Sequence, residues 1–143
     1  MLPAPMDRRI DLLRRVPLFA AQGERGMDEI ARLVRVVDVP AGRSLTREGE
    51  PGSDFFVIAE GSVRIEREGR LLRTLGPGDF LGEIALIDGG PRTATATTVS
   101  NAQLLVIAQR EFGVLMERFP EIQETVLLTL ADRVRRLAPE NGD

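Results

Sequence analysis

Between residues 34 and 108 the chain repeats one pattern, a short apolar or β-branched run followed by a glycine-rich corner, at intervals of about ten residues. Candidate strands fall at 34–39, 44–47, 54–60, 62–66, 70–75, 93–99 and 103–108, and the first, with Val34, Val36, Val37 and Val39, is the most β-prone. Pro40 and Gly42 end it, and Glu50-Pro51-Gly52, Glu68-Gly69 and Gly76-Pro77-Gly78-Asp79 supply later corners. Regular short strands with such corners read as an antiparallel barrel or jelly roll.

One segment, residues 80–96, interrupts this rhythm. After Gly82 comes a short apolar run with the length of about two helical turns, placed inside an otherwise all-β stretch. A helix start exposes backbone N–H groups and the positive end of a dipole. Gly82 allows a ligand close to those groups, and Glu83 sets one carboxylate beside them, suited to a sugar hydroxyl. Arg92 follows the Gly89-Gly90-Pro91 turn, and its planar fork of donors fits two oxygens of one phosphate. An anion site and a hydroxyl site together suggest a nucleotide.

Helical spacing flanks the strand region. Ile10, Leu12, Leu13 and Val16 mark a short amphipathic helix that ends near Pro17, and Met27, Ile30, Ala31 and Leu33 mark a second over 24–33. After Arg110, Phe112, Leu115, Met116 and Phe119 share one side, and Pro120 suits a first helical turn or a kink. The stripe Ile122, Val126, Leu130, Val134 and Leu137 is widened by Leu127, Leu128 and Ala131 beyond what one contact needs. Residues 138–143 are expected to fray.

The residue types that are missing exclude most chemistry. The chain has no histidine, cysteine, lysine, tyrosine or tryptophan, so every basic side chain is arginine. This closes Ser-His-Asp and Cys-His relays, Schiff-base and phosphate-loop lysines, and histidine- or thiolate-ligated metals. Carboxylate-only chemistry remains formally open, and Asp79, Glu83 and Asp88 are its candidates, although Asp79 fits a turn and Asp88 a helix exit. Gly76, Gly78 and Gly82 lack the spacing and the βαβ setting of a dinucleotide fingerprint. A net charge of −3 argues against nucleic acid as a partner of this chain and against a polybasic membrane anchor. No apolar run approaches a membrane span and residues 1–9 lack the order of a signal peptide, so a cytoplasmic location is expected. At 143 residues and 43% hydrophobic content, one domain over 1–143 is expected.

The run Phe80-Leu81-Gly82-Glu83-Ile84-Ala85-Leu86, followed by Pro91-Arg92-Thr93-Ala94-Thr95, resembles the phosphate-binding cassette of cyclic nucleotide-binding domains. These occur in catabolite-activator-type regulators, kinase regulatory subunits and cyclic-nucleotide-gated channels. Gly42, the stretch 50–58, Gly61 and Gly76-Pro77-Gly78-Asp79 match the family's turns as well, so the resemblance spans nearly the whole chain. It implies a mainly β fold, an eight-stranded antiparallel jelly roll over 34–108, with N-terminal helices (7–33), a cassette helix and C-terminal lid helices (109–137). It implies that Arg92 and Thr93, with backbone N–H groups around Gly82, Ile84 and Ala85, hold the cyclic phosphate, and that Glu83 takes the ribose 2′-hydroxyl. Val63 and Leu75 lie where the family lines the base, and Leu130 or Arg133 is expected to cover it. Thr93 leaves cyclic AMP and cyclic GMP both open, with cyclic AMP favoured.

The function so implied is a non-catalytic sensor or regulatory domain, with no cofactor or metal, whose ligand is coupled to movement of the C-terminal helix. An effector touching that helix, or a homodimer through it, is the expected partner. The 143 residues include no helix-turn-helix after Leu137, which leaves a stand-alone sensor and a regulatory piece of a longer protein both open. The alternative reading keeps the fold as a protein-interaction or dimerisation module without ligand, against the retained set Gly82, Glu83 and Arg92.

Overall fold

The structure, a computed structural model, describes residues 4–137. It begins with α1 (Met6–Arg14), α2 (Pro17–Ala20) and α3 (Glu24–Ala31). The sequence predicts only that the first helix ends near Pro17; in addition Pro17 opens a turn of its own, because a proline at a first helical position gives up an N–H that would be unpaired anyway.

Eight strands follow among the described residues, in two antiparallel sheets. The first sheet runs β1 (Arg35–Val39), β8 (Ala102–Ala108), β3 (Asp54–Glu60), β6 (Phe80–Leu81); the second runs β2 (Ser44–Thr46), β7 (Thr95–Thr98), β4 (Val63–Arg67), β5 (Arg70–Leu75). They face each other as an eight-stranded jelly roll with flanking helices. Strand β7 is shorter than the 93–99 that β-propensity suggests. Residues 92–94 bond outside any ladder: Arg92 N–H donates to the Glu50 carbonyl at 2.9 Å, and the Ala94 carbonyl accepts from Thr46 Oγ1 at 3.0 Å.

Two cores hold the fold. Phe55, Val57, Leu105 and Ile107 pack against the helices with Leu12, Leu13, Phe19, Met27 and Ile30, whereas Phe56, Ile58, Leu104 and Val106 fill the space between the sheets. Strands β3 and β8 are thus covered on both faces, which is why they read as unbroken apolar runs rather than alternating ones. The second sheet is covered on one face only, so β4 points Val63 and Ile65 inward and Arg64 outward.

The remaining helices are α4 (Glu83–Asp88), α5 (Gln109–Arg118) and α6 (Pro120–Leu137). Phe112 and Leu115 of α5, and Ile122 and Val126 of α6, complete the helical core. Beyond Val126 the apolar side chains Leu127, Leu128 and Val134 are exposed. No helix among the described residues is long and apolar enough to cross a membrane. The expected fraying of 138–143, and the first three residues, lie outside the described part.

Candidate functional site

Strand β6 adds two residues to the edge of β3, pairing Leu81 with Phe56 and Phe80 with Val57. The chain then has to turn sharply into α4, and Gly82 does so at a φ of 100°. A side chain there would be strained by the left-handed backbone and would also meet the Asp54 carbonyl oxygen, 2.7 Å from an added Cβ. Gly89, again left-handed, ends α4, and Asp88 Oδ1 accepts the Gly90 N–H at 2.8 Å.

Arg92 lies beneath this turn and is buried. Its Nη1 donates to the Gly82 carbonyl at 3.2 Å and its Nη2 to the Asp54 carbonyl at 2.7 Å. Five N–H donors are available and these bonds use two, so the fork is oriented without being spent. Burial lowers its pKa from the ordinary arginine value, against the opposing carboxylates of Asp54 and Glu83. The guanidinium stays cationic at neutral pH.

Glu83 is the most buried charged side chain of the site, at 1% exposure. Both its oxygens accept from Arg133 Nη1 of α6, at 2.5 and 2.8 Å, and Arg133 Nη2 donates to the Phe80 carbonyl at 2.6 Å. The guanidinium carbon sits 5.2 Å from the centre of the Phe80 ring. One side chain of α6 therefore grips both ends of the β6–α4 turn. A buried pair of this kind adds little net stability, but removing one partner strands the other and costs about 3–5 kcal/mol.

These groups line a cleft that opens to solvent and has a cavity volume of about 50 Å³. That is room for a few waters, so a larger ligand has to extend into the open mouth of the cleft. Of the residues singled out in the sequence, Gly82, Glu83, Ile84, Ala85, Arg92, Thr93, Leu75 and Arg133 all line it. Val63 does not: it pairs with Leu75 across β4–β5 and lies fully buried between the sheets. Leu130 is half-buried on α6 and also stands outside the lining.

Sequence reasoning missed a row that crosses the second sheet. Register aligns Thr46 with Ala96, Ala96 with Ile65, and Ile65 with Arg73, and all four line the cleft. A bulge at Leu72, just before Arg73, puts Leu72 into the lining as well. The period-2 signal was available, since an inward Leu75 implies an inward Arg73. Burial lowers the Arg73 pKa, and the neighbouring Arg133 lowers it further while Glu83 opposes.

Each carboxylate once considered for acid-base or metal work has a partner of its own. Asp79 accepts the Gly76 N–H, Asp88 the Gly90 N–H, and Glu83 holds Arg133.

Residues 36–119 match the family described as cyclic nucleotide-binding domain. The chain is 40% identical over 126 residues to a cyclic nucleotide-gated potassium channel of Mesorhizobium japonicum, covering 88% of this chain and 35% of the channel. It is 34% identical over 131 residues to a CRP-like cAMP-activated global transcriptional regulator of Mycobacterium tuberculosis, covering 88% of this chain and 58% of the regulator. The crystal structure of the Thermus thermophilus catabolite activator protein superposes with a TM-score of 0.74 at 30% identity, over 85% of this chain and 59% of that one. The chain thus spans about a third to three-fifths of the length of these relatives.

Proposed function

The chain belongs to the cyclic nucleotide-binding domain family, and from that premise we propose that it is a non-catalytic sensor in which a cyclic nucleotide and helix α6 share one carboxylate. The observation that carries the reading is the pair Arg133–Glu83, which ties α6 to the turn that would hold the sugar. The phosphate is held by Arg92, by the Thr93 hydroxyl and by N–H groups of the turn at Gly82, Ile84 and Ala85. The ribose 2′-hydroxyl donates to Glu83. A carboxylate has about four lone-pair sites, so the hydroxyl joins Arg133 there rather than expelling it. Bound nucleotide favours the docked placement of α6, and by reciprocity docked α6 favours the nucleotide.

Cyclic AMP is the first ligand of this reading, in line with the cAMP-activated regulator among the relatives. Cyclic GMP is the second, favoured by the Thr93 hydroxyl and by Arg73 in the cleft wall. The role of the domain in a larger protein, and an effector or second copy reading the exposed Leu127, Leu128 and Val134, belong to the same proposal. An interaction module without ligand is the competing reading, supported by that same exposed face.

Calorimetric titration with cyclic AMP and cyclic GMP, on the wild type and on Arg92→Ala, separates the two. Charge-assisted hydrogen bonds contribute about 1.5–3 kcal/mol each, so the substitution is expected to weaken binding at least about a hundredfold. A folded wild type that binds neither nucleotide refutes the sensor.

A further inference from the structure

We propose that Gly52 is a positioning residue for Arg92: it keeps open the channel in which the guanidinium lies, and any side chain at 52 displaces the guanidinium from the cleft. The proposal rests on the phosphate role given to Arg92 above. Nothing in the backbone calls for glycine here, because Gly52 is not among the glycines of positive φ. Space does. A Cβ at 52 would overlap Arg92 Nε and lie 2.7 Å from both Cζ and Nη2, well inside contact distance.

The guanidinium has no slack with which to accommodate a methyl group. Its Nη2 and Nη1 are tied to the Asp54 and Gly82 carbonyls, and the residue is 6% exposed. On its other side an added Cβ at Gly82 would stand 2.8 Å from Nη1, so two glycines flank one side chain. The main chain is fixed too: Arg92 N–H donates to the Glu50 carbonyl at 2.9 Å, and Gly49 N–H to the Arg92 carbonyl at 2.8 Å. The main chain beside this contact is thus tied at residues 49, 50 and 92, and the long side chain is what yields. The backbone accepts a methyl group at 52, and its cost falls on the site, where the displaced guanidinium gives up its bonds to the Asp54 and Gly82 carbonyls.

The test compares Gly52→Ala, Arg92→Ala and the double variant in the full chain. Without ligand, the Nε–Hε resonance of Arg92, identified by its absence from Arg92→Ala, is expected to shift in Gly52→Ala while the thermal midpoint falls no further than it does in Arg92→Ala. With cyclic AMP, Gly52→Ala is expected to weaken binding about a hundredfold, close to Arg92→Ala, and to add less than about twofold when Arg92 is already absent. An unmoved Arg92 resonance with affinity near that of the wild type overturns the proposal. So does an equal loss from Gly52→Ala in both backgrounds, which marks a general structural role. If the wild type binds neither cyclic AMP nor cyclic GMP, the ligand reading falls, and the resonance still decides whether Gly52 seats Arg92.

Discussion

Two of the three arginines lining the cleft are held by acceptors of the protein itself, Arg92 by the Asp54 and Gly82 carbonyls and Arg133 by Glu83 and the Phe80 carbonyl. Arg73 is held by none of these. In the proposed placement, with phosphate at the cassette and ribose at Glu83, the base would be left the wall formed by Ile65, Leu72, Arg73 and Leu75. On that wall Arg73 is the polar side chain, and it offers donors only. Guanine presents two adjacent acceptors, O6 and N7, where adenine pairs N7 with an amine donor, and a bidentate arginine contact discriminates by about 1–3 kcal/mol. Arg73→Leu is accordingly expected to weaken cyclic GMP by about tenfold or more relative to cyclic AMP in parallel titrations. An unchanged ratio of the two affinities removes Arg73 from base recognition.

At the scale of elements, α5 carries an expendable weakness. Gly113 sits mid-helix, exposed, with open space around any Cβ. Gly113→Ala is expected to stabilise the chain by about 0.5–1 kcal/mol, seen as a rise of the thermal midpoint without change in nucleotide affinity. A fall in midpoint means that α5 is not helical at 113. What was legible beforehand follows the same local logic. Strands β1, β3 and β8 showed because their apolar runs and corners lie within a few residues of each other, and the cassette showed because Gly82, Glu83 and Arg92 are close in sequence. The end of 93–99 did not, since Arg92 and Ala94 bond to Glu50 and Thr46, more than forty residues away. Arg73, Thr46 and Ala96 reach the cleft only through register, and Gly52 meets Arg92 only through the fold. Val63 had the inward parity of a lining residue, yet it lies one register step from Ile65, inside the core between the sheets.

At the scale of the whole molecule, α6 joins the helical core to the cleft. Ile122 and Val126 anchor its first half among the helices, and Arg133 anchors the second half to Glu83, with exposed apolar residues between and beyond. The first anchor does not depend on ligand; the second shares its carboxylate with the proposed ribose contact. Arg133→Met keeps most of the side-chain length and removes only the charge and its bonds. It leaves Glu83 stranded, at a cost of about 3–5 kcal/mol if α6 stays docked and less if the second half lifts to let water reach the carboxylate. Because coupling between two sites is reciprocal and typically about 5- to 150-fold, nucleotide affinity is expected to fall by about tenfold. Ligand at a hundred times the wild-type Kd stabilises the wild type by about 2.7 kcal/mol, and at the same concentration a tenfold weaker variant gains about 1.4 kcal/mol. Thermal unfolding with and without cyclic AMP reads both effects at once. A lower midpoint with an undiminished ligand-induced rise means that Arg133 braces the fold without communicating with the site, and the sensor's output must then leave the cleft by another route than α6.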